Sequence, residues 1–162
     1  MRQQSRSRAG CPGRVRPRGN RGGEQAAQHS QSLHAWFMHV PGLKVVMPST
    51  PYDAKGLLIA SILDNNPVLY IDDRWLYDEV GEVPSEPYEV EIGKAAVCRE
   101  GRDVTVVSSS VMTREALIAA EKLEPQGVSV EVVDLRSISP MDKDTILNSV
   151  KKTGRLVAAD GG

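Results

Sequence analysis

The chain has 162 residues, 40% of them hydrophobic and 25% charged, the proportions of a folded globular chain and not of a disordered tail. Its apolar runs, such as Val45 to Met47 and Gly56 to Ile62, fall far short of the roughly 20 residues a membrane helix needs; Cys11 and Cys98 are too few, and too unlike in setting, for a disulfide framework or a zinc knuckle. The net charge of -1 hides an asymmetry, because residues 1–23 carry seven arginines and no acid, leaving 13 basic and 21 acidic residues in the remainder.

Residues 1–23 have Val15 as their only branched aliphatic among Gly, Pro, Ser and Gln. Such a stretch cannot bury enough surface to offset ordering entropy, which predicts a disordered basic leader. Charge alone would suit a nucleic-acid arm, but no aromatics are interleaved, and no nucleic-acid partner is expected. Gly19-Asn-Arg-Gly-Gly resembles an anion nest yet lacks the Lys-Ser/Thr of a P-loop. The three histidines fall at positions 29, 34 and 39, a spacing that does not share one helix face, so no metal site is expected of them. His29 lies in a polar loop, Ala27-Gln28-His29-Ser30-Gln31-Ser32, where an imidazole serves either as an acid/base near a ligand or as a cap or core histidine.

Leu33 to Met38 reads as a short helix ended by Pro41-Gly42, and Leu43 to Met47 as a buried strand. Thr50 then caps, Pro51 suits the first helical position, and Asp53 complements the first-turn N–H groups, opening a helix to Asp64. Asn65-Asn66-Pro67 stops it, and Val68 to Ile71 is a strand. The acidic, proline-containing stretch 78–91 reads as an extended crossing. Beyond it, Lys94 to Cys98 and Val104 to Ser108 are strand-like; Thr113 caps a helix to Leu123; Val128 to Leu135 is a strand. Ser139-Pro140-Met141-Asp142 repeats the pattern at Thr50 and opens a helix to Lys152, Gly154 ends it, and Leu156 to Ala159 is a last strand. Ser108-Ser109-Ser110 lacks nucleophile-elbow glycines and reads as capping. Strands alternating with helices predict an α/β fold of parallel sheets with right-handed helical crossovers. The last strand ends at Asp160-Gly161-Gly162, where such folds place ligands and add another helix, so the expectation is a chain cut at both ends or completed by association.

Several runs together carry a specific resemblance: Ala27-Gln28-His29-Ser30-Gln31, His39-Val-Pro-Gly-Leu-Lys-Val-Val46, Pro51-Tyr-Asp-Ala-Lys-Gly56, Asp64-Asn-Asn-Pro-Val68 and Asp134-Leu-Arg-Ser-Ile-Ser-Pro-Met-Asp142. In order and spacing the chain resembles the β subunit of thiamine-diphosphate-dependent 2-oxo acid dehydrogenases (pyruvate, branched-chain 2-oxo acid and acetoin types), within the transketolase-like superfamily. The resemblance implies the distal part of a pyrimidine-binding domain over 24–77, a linker over 78–92 and the first half of a transketolase carboxyl-terminal domain over 93–162.

It also implies a function: oxidative decarboxylation of a 2-oxo acid, with the acyl group passed to a lipoyl carrier. His29 would line the thiamine site as the catalytic residue, and Ser61, Asp64 and Asn66 would mark a turn whose backbone holds a monovalent cation, with K+ as the candidate. The family's glutamate that protonates the aminopyrimidine has no counterpart in residues 1–26, and the G-D-G motif for diphosphate and Mg2+ belongs to the α subunit. Thiamine diphosphate would thus be shared with an α subunit in an α2β2 assembly served by a lipoyl acyltransferase core, in bacterial cytoplasm or the mitochondrial matrix, with no membrane contact. The alternatives are a transketolase-like or acyloin-forming enzyme that moves the same intermediate to an aldehyde, and a non-catalytic fragment.

Overall fold

The computed structural model describes residues 14–15 and 31–161. Among them, eight strands form two four-stranded sheets. The first has the order β1 (Arg14–Val15), β3 (Val68–Ile71), β2 (Lys44–Val46), β7 (Ser137–Ser139), and the second β4 (Ala96–Arg99), β6 (Val130–Asp134), β5 (Val104–Ser108), β8 (Leu156–Ala158). The helices are α1 (His34–Phe37), α2 (Pro51–Leu63), α3 (Val111–Leu123) and α4 (Lys143–Thr153). β2 and β3 are parallel across α2, and β5 and β6 across α3. A helical crossover leaves no other arrangement. β1 adds a parallel pair to β3, Arg14 opposite Tyr70 and Val15 opposite Ile71, inside the stretch whose composition reads as a leader.

The expectation of wholly parallel sheets needs correcting, since β4 is antiparallel to β6 and β7 is antiparallel to β2. Only residues 100–103 join β4 to β5. That is too short for a helix, so the chain must reverse. Gly101 makes the reversal over the backbone of Val130 and Glu131, at a distance where any Cβ would overlap it. β7 follows β6 after only Leu135 and Arg136, again without a crossover, and so leaves its own sheet to extend the other.

Two helix starts also move. α3 begins at Val111 behind Ser110, and Thr113 is buried inside it with its hydroxyl accepting from Ser108 Oγ at 3.1 Å. α4 is capped by Asp142, which accepts from Thr145 N, while Ser139 belongs to β7. The α2 start is as expected: Thr50 Oγ1 accepts from Asp53 N at 3.1 Å, with Pro51 in the first turn.

Both strands beside α2 are buried on both faces, so their residues alternate between two cores. Val45, Met47, Leu69, Ile71 and Ile138 on the first sheet's side meet Val107 and Val133 of the second sheet, with Leu135 of the passage between β6 and β7. Val46, Val68 and Tyr70 face Leu57 of α2 and Val90. Val90, Tyr88 and Ile92 thus fasten the crossing segment onto the first sheet. It lies so close to α2 that a Cβ on Gly56 would sit 2.5 Å from Val90 Cγ2 and 2.8 Å from Tyr88 Cε2. Lys55 holds the same segment through the carbonyls of Pro84, Ser85 and Glu86.

Candidate functional site

Parallel strands collect ligands at their carboxyl ends. At that end of β2 and β3 a cleft of about 540 Å³ opens, walled by Pro48, Pro51, Leu58, Tyr70, Leu76 and Tyr77 and edged by Asp72, Asp73 and Glu79. Asp73 accepts from Trp75 N at 2.9 Å, and Tyr77 donates its hydroxyl to Asp72 Oδ2 at 2.5 Å. Burial pushes the Asp73 carboxyl above its usual range. Arg114 of α3 reaches the same turn, donating to Trp75 O and Glu79 Oε1, each at 2.9 Å. The cleft therefore offers apolar walls, with the acids Asp72, Asp73 and Glu79 and the amine of Lys55 among its lining groups. No group of three or more His, Cys, Asp or Glu side chains is placed for a metal ion among the described residues.

Beside this end of the sheet, Asp53 enters the interior from α2. Its Oδ2 accepts from Thr50 Oγ1 at 2.6 Å, and its Oδ1 lies 3.0 Å from Arg136 Nε. Arg136 adopts a left-handed φ of +57°, an uncommon conformation for a side-chain-bearing residue. That conformation lets its N–H reach Asp134 Oδ1 at 3.1 Å while its carbonyl accepts Met47 N at 2.7 Å. Asp134 is fully buried, and burial pushes its carboxyl up to about 6 against the Ser49 hydroxyl beside it. Neither Asp134 Oδ2 nor Ser49 Oγ completes a hydrogen bond. Sequence reasoning took Asp53 for a helix-dipole residue and missed this cluster; its trace was the charged pair Asp134 and Arg136 in an otherwise apolar run.

His29 lies outside the described residues, as does Gly19-Asn-Arg-Gly-Gly. His34 is buried, with Nδ1 2.9 Å from Ser32 Oγ and Nε2 3.0 Å from Asp160 Oδ2, so it ties the start of α1 to the end of β8. His39 is exposed. At the turn after α2, Ser61 Oγ donates to Leu57 O at 2.6 Å, while Asp64 pairs with Lys44 and accepts from Asn66 N at 2.8 Å. The Lys44 ammonium, before the Asn66 N–H, holds the Asp64 carboxyl below its usual range. Asn66 adds a bond from its Nδ2 to the same Asp64 oxygen at 3.1 Å, so the turn is tied together by its own side chains. Ser110, at the start of α3, makes no capping bond and has a φ of +53°.

Comparison with known proteins adds two family matches: the transketolase pyrimidine-binding domain over residues 1–78 and the transketolase carboxyl-terminal domain over residues 93–162. The chain is 53% identical over 135 residues to the β subunit of acetoin:2,6-dichlorophenolindophenol oxidoreductase from Cupriavidus necator, covering 83% of this chain and 40% of that one. It is 48% identical over 158 residues to the pyruvate dehydrogenase E1 β subunit of Bacillus subtilis, covering 97% of this chain and 49% of the relative. The 2-oxoisovalerate dehydrogenase β subunit of the same organism is 47% identical over 158 residues, of which the chain covers 48%. Among solved structures, an inactive β4 tetramer of a split-gene transketolase superposes with a TM-score of 0.73 at 30% identity, over 90% of this chain and 46% of that one. The chain thus spans less than half the length of these relatives.

Proposed function

Because the chain belongs to the transketolase family through its pyrimidine-binding and carboxyl-terminal domains, we propose that it is part of the β subunit of a thiamine-diphosphate-dependent 2-oxo acid dehydrogenase. The carrying observation is the identity of 47–53% to β subunits named for acetoin, pyruvate and 2-oxoisovalerate enzymes. The domain division follows the same reading: 24–77 pyrimidine-binding, 78–92 linker, 93–162 carboxyl-terminal.

Thiamine diphosphate, when bound, supplies the carbanion chemistry. This chain orients the reactants and moves protons. His29 is the proton-transfer group. In this reading an α subunit holds the diphosphate and Mg2+. Leu58, Ile62 and Leu63 on the outer side of α2, with Trp36, leave apolar surface exposed, which supports a subunit contact. K+ at the 64–67 turn would rest on main-chain carbonyls. A lipoyl acyltransferase core receives the acyl group, in bacterial cytoplasm or the mitochondrial matrix. No helix among the described residues is long and apolar enough to cross a membrane.

The test uses the full-length β subunit with its α partner, in single-turnover assays beside a cofactor titration. His29→Ala should lower turnover by roughly 10² to 10⁴ and leave cofactor affinity unchanged. Normal turnover in His29→Ala with loss in His34→Ala would overturn the assignment. Acyl transfer to an aldehyde but not to lipoamide would select the transketolase-like reading instead, which the split-gene transketolase likeness favours.

A further inference from the structure

Ser32, His34 and Asp160 form a chain of three side chains that crosses from one family domain to the other. His34 opens α1, whose neighbours Phe37 and Met38 pack against the core between the sheets. Asp160 is placed by the second sheet, because the Ala159 N–H bonds Val107 O at 2.9 Å and carries the β8 pairing to the residue before it. The His34 side chain is 6% exposed, with Nε2 3.0 Å from Asp160 Oδ2 and Nδ1 2.9 Å from Ser32 Oγ. Both nitrogens of a buried imidazole are therefore engaged, one from each domain.

An ionised carboxylate only accepts hydrogen bonds, so in the neutral ring Nε2 carries the hydrogen and Nδ1 is left as an acceptor. Ser32 then has one role toward the ring: its hydroxyl donates to Nδ1. The Asp160 carboxylate is 61% exposed, so the pair adds little to stability; what it fixes is the direction of the two bonds. Ser32 stands three residues after His29 in the sequence, and three residues of chain reach at most about 10 Å. Resting on the assignment of His29 as the proton-transfer group, we propose that Asp160 and His34 are positioning residues for the reaction: Asp160 sets the His34 tautomer, His34 orients the Ser32 hydroxyl, and Ser32 anchors the segment that carries His29. The carboxyl-terminal domain thereby acts on chemistry performed in the other domain.

Asp160→Asn is the discriminating change. The amide keeps the shape of the carboxylate and can still accept from Nε2–H, but turned over it donates to Nε2, the ring hydrogen moves to Nδ1, and Ser32 must accept. The tie survives and its direction is lost. A merely structural contact would not register that difference, whereas a group that sets the geometry of a reacting residue would, since small misplacements are costly in the transition state.

Two measurements test this. Nitrogen NMR of the imidazoles in the 162-residue chain should show His34 in the Nε2–H form, and a mixture of both forms in Asp160→Asn. In the full-length β subunit with its α partner, Asp160→Asn and Ser32→Ala should each lower kcat roughly ten- to a hundredfold with KM and cofactor affinity unchanged. The double variant should lose no more than either alone, because both act through one ring, and Asp160→Glu, which restores a pure acceptor, should recover part of the loss. His34 in the Nδ1–H form in the wild type, additive losses in the double variant, or a normal kcat in Asp160→Asn beside a His29→Ala that has lost turnover would each overturn the positioning role and leave His29 in place. Normal turnover in His29→Ala would overturn the reading of His29 and this inference with it.

Discussion

Two buried polar clusters in this molecule are built on opposite plans. Behind the second sheet, Glu131 is 1% exposed and every oxygen is used: Ser149 Oγ donates to one, and Gly101 N and Lys152 Nζ serve the other. Thr105 continues the chain to Ser149 at 2.8 Å and Thr153 at 2.7 Å. Between the sheets, Asp134 and Ser49 are left with unmet capacity. Burial raises both carboxyls. At Glu131 the hydrogen bonds from Lys152, Ser149 and Gly101 outweigh it and hold the group below its ordinary value, whereas at Asp134 burial wins. Full satisfaction makes a fixed structural network, and partial satisfaction makes a contact that answers to its surroundings. Their pH responses have opposite signs. The Glu131 contribution is present at neutral pH and lost as pH falls below about 4.5, the ordinary glutamate value, through its lowered folded value. The Asp134 contact strengthens over the range from 6 down to 3.8.

The largest expected effect comes from breaking the satisfied cluster. Glu131→Ala strands Ser149 and the Gly101 N–H, and should cost about 2–4 kcal/mol in urea unfolding, with the loss shrinking toward acid pH. A cost that grows on acidification would show that the network does not depend on ionised Glu131. Next is Gly56→Val. A Gly replaced in a helix is usually a gain, but here Val90 and Tyr88 occupy the space, and the substitution should cost about 1–3 kcal/mol. It should also hasten proteolysis between residues 79 and 92; unchanged cleavage would mean that the segment is not held at Gly56. Thr50→Ala removes the α2 cap and should cost about 1 kcal/mol, measured by equilibrium unfolding. Asp160→Asn is expected to be smallest, about 0.2–1 kcal/mol, because its carboxylate is 61% exposed. Its trace should appear as faster amide exchange in α1 with little change in the global midpoint.

What the sequence disclosed follows the range of the forces involved. The α2 start was legible because Thr50, Pro51 and Asp53 act within one turn. The same pattern at Ser139-Pro140 misled, since Ser139 pairs with Val45, 94 residues away in the chain, and a three-residue strand leaves no period of its own. The extended course of residues 78–91 could be read from composition. That Val90 fills the core against Leu57 could not, because a lone valine among acids carries no partner label. For the site, the resemblance pointed to His29 and the 64–67 turn. Asp53 and Arg136 meet only once both sheets are formed, which no local spacing reports.

β7 has a consequence for synthesis. β2 ends at Val46, and the strand that covers its outer edge begins at Ser137. A ribosome adding about 5–20 residues per second needs roughly 5–20 s to deliver that cover. During that interval Lys44–Val46 presents open backbone donors and acceptors, the template by which nascent chains pair with one another. Chaperone capture of the growing polypeptide is therefore needed most before residue 139 clears the exit tunnel.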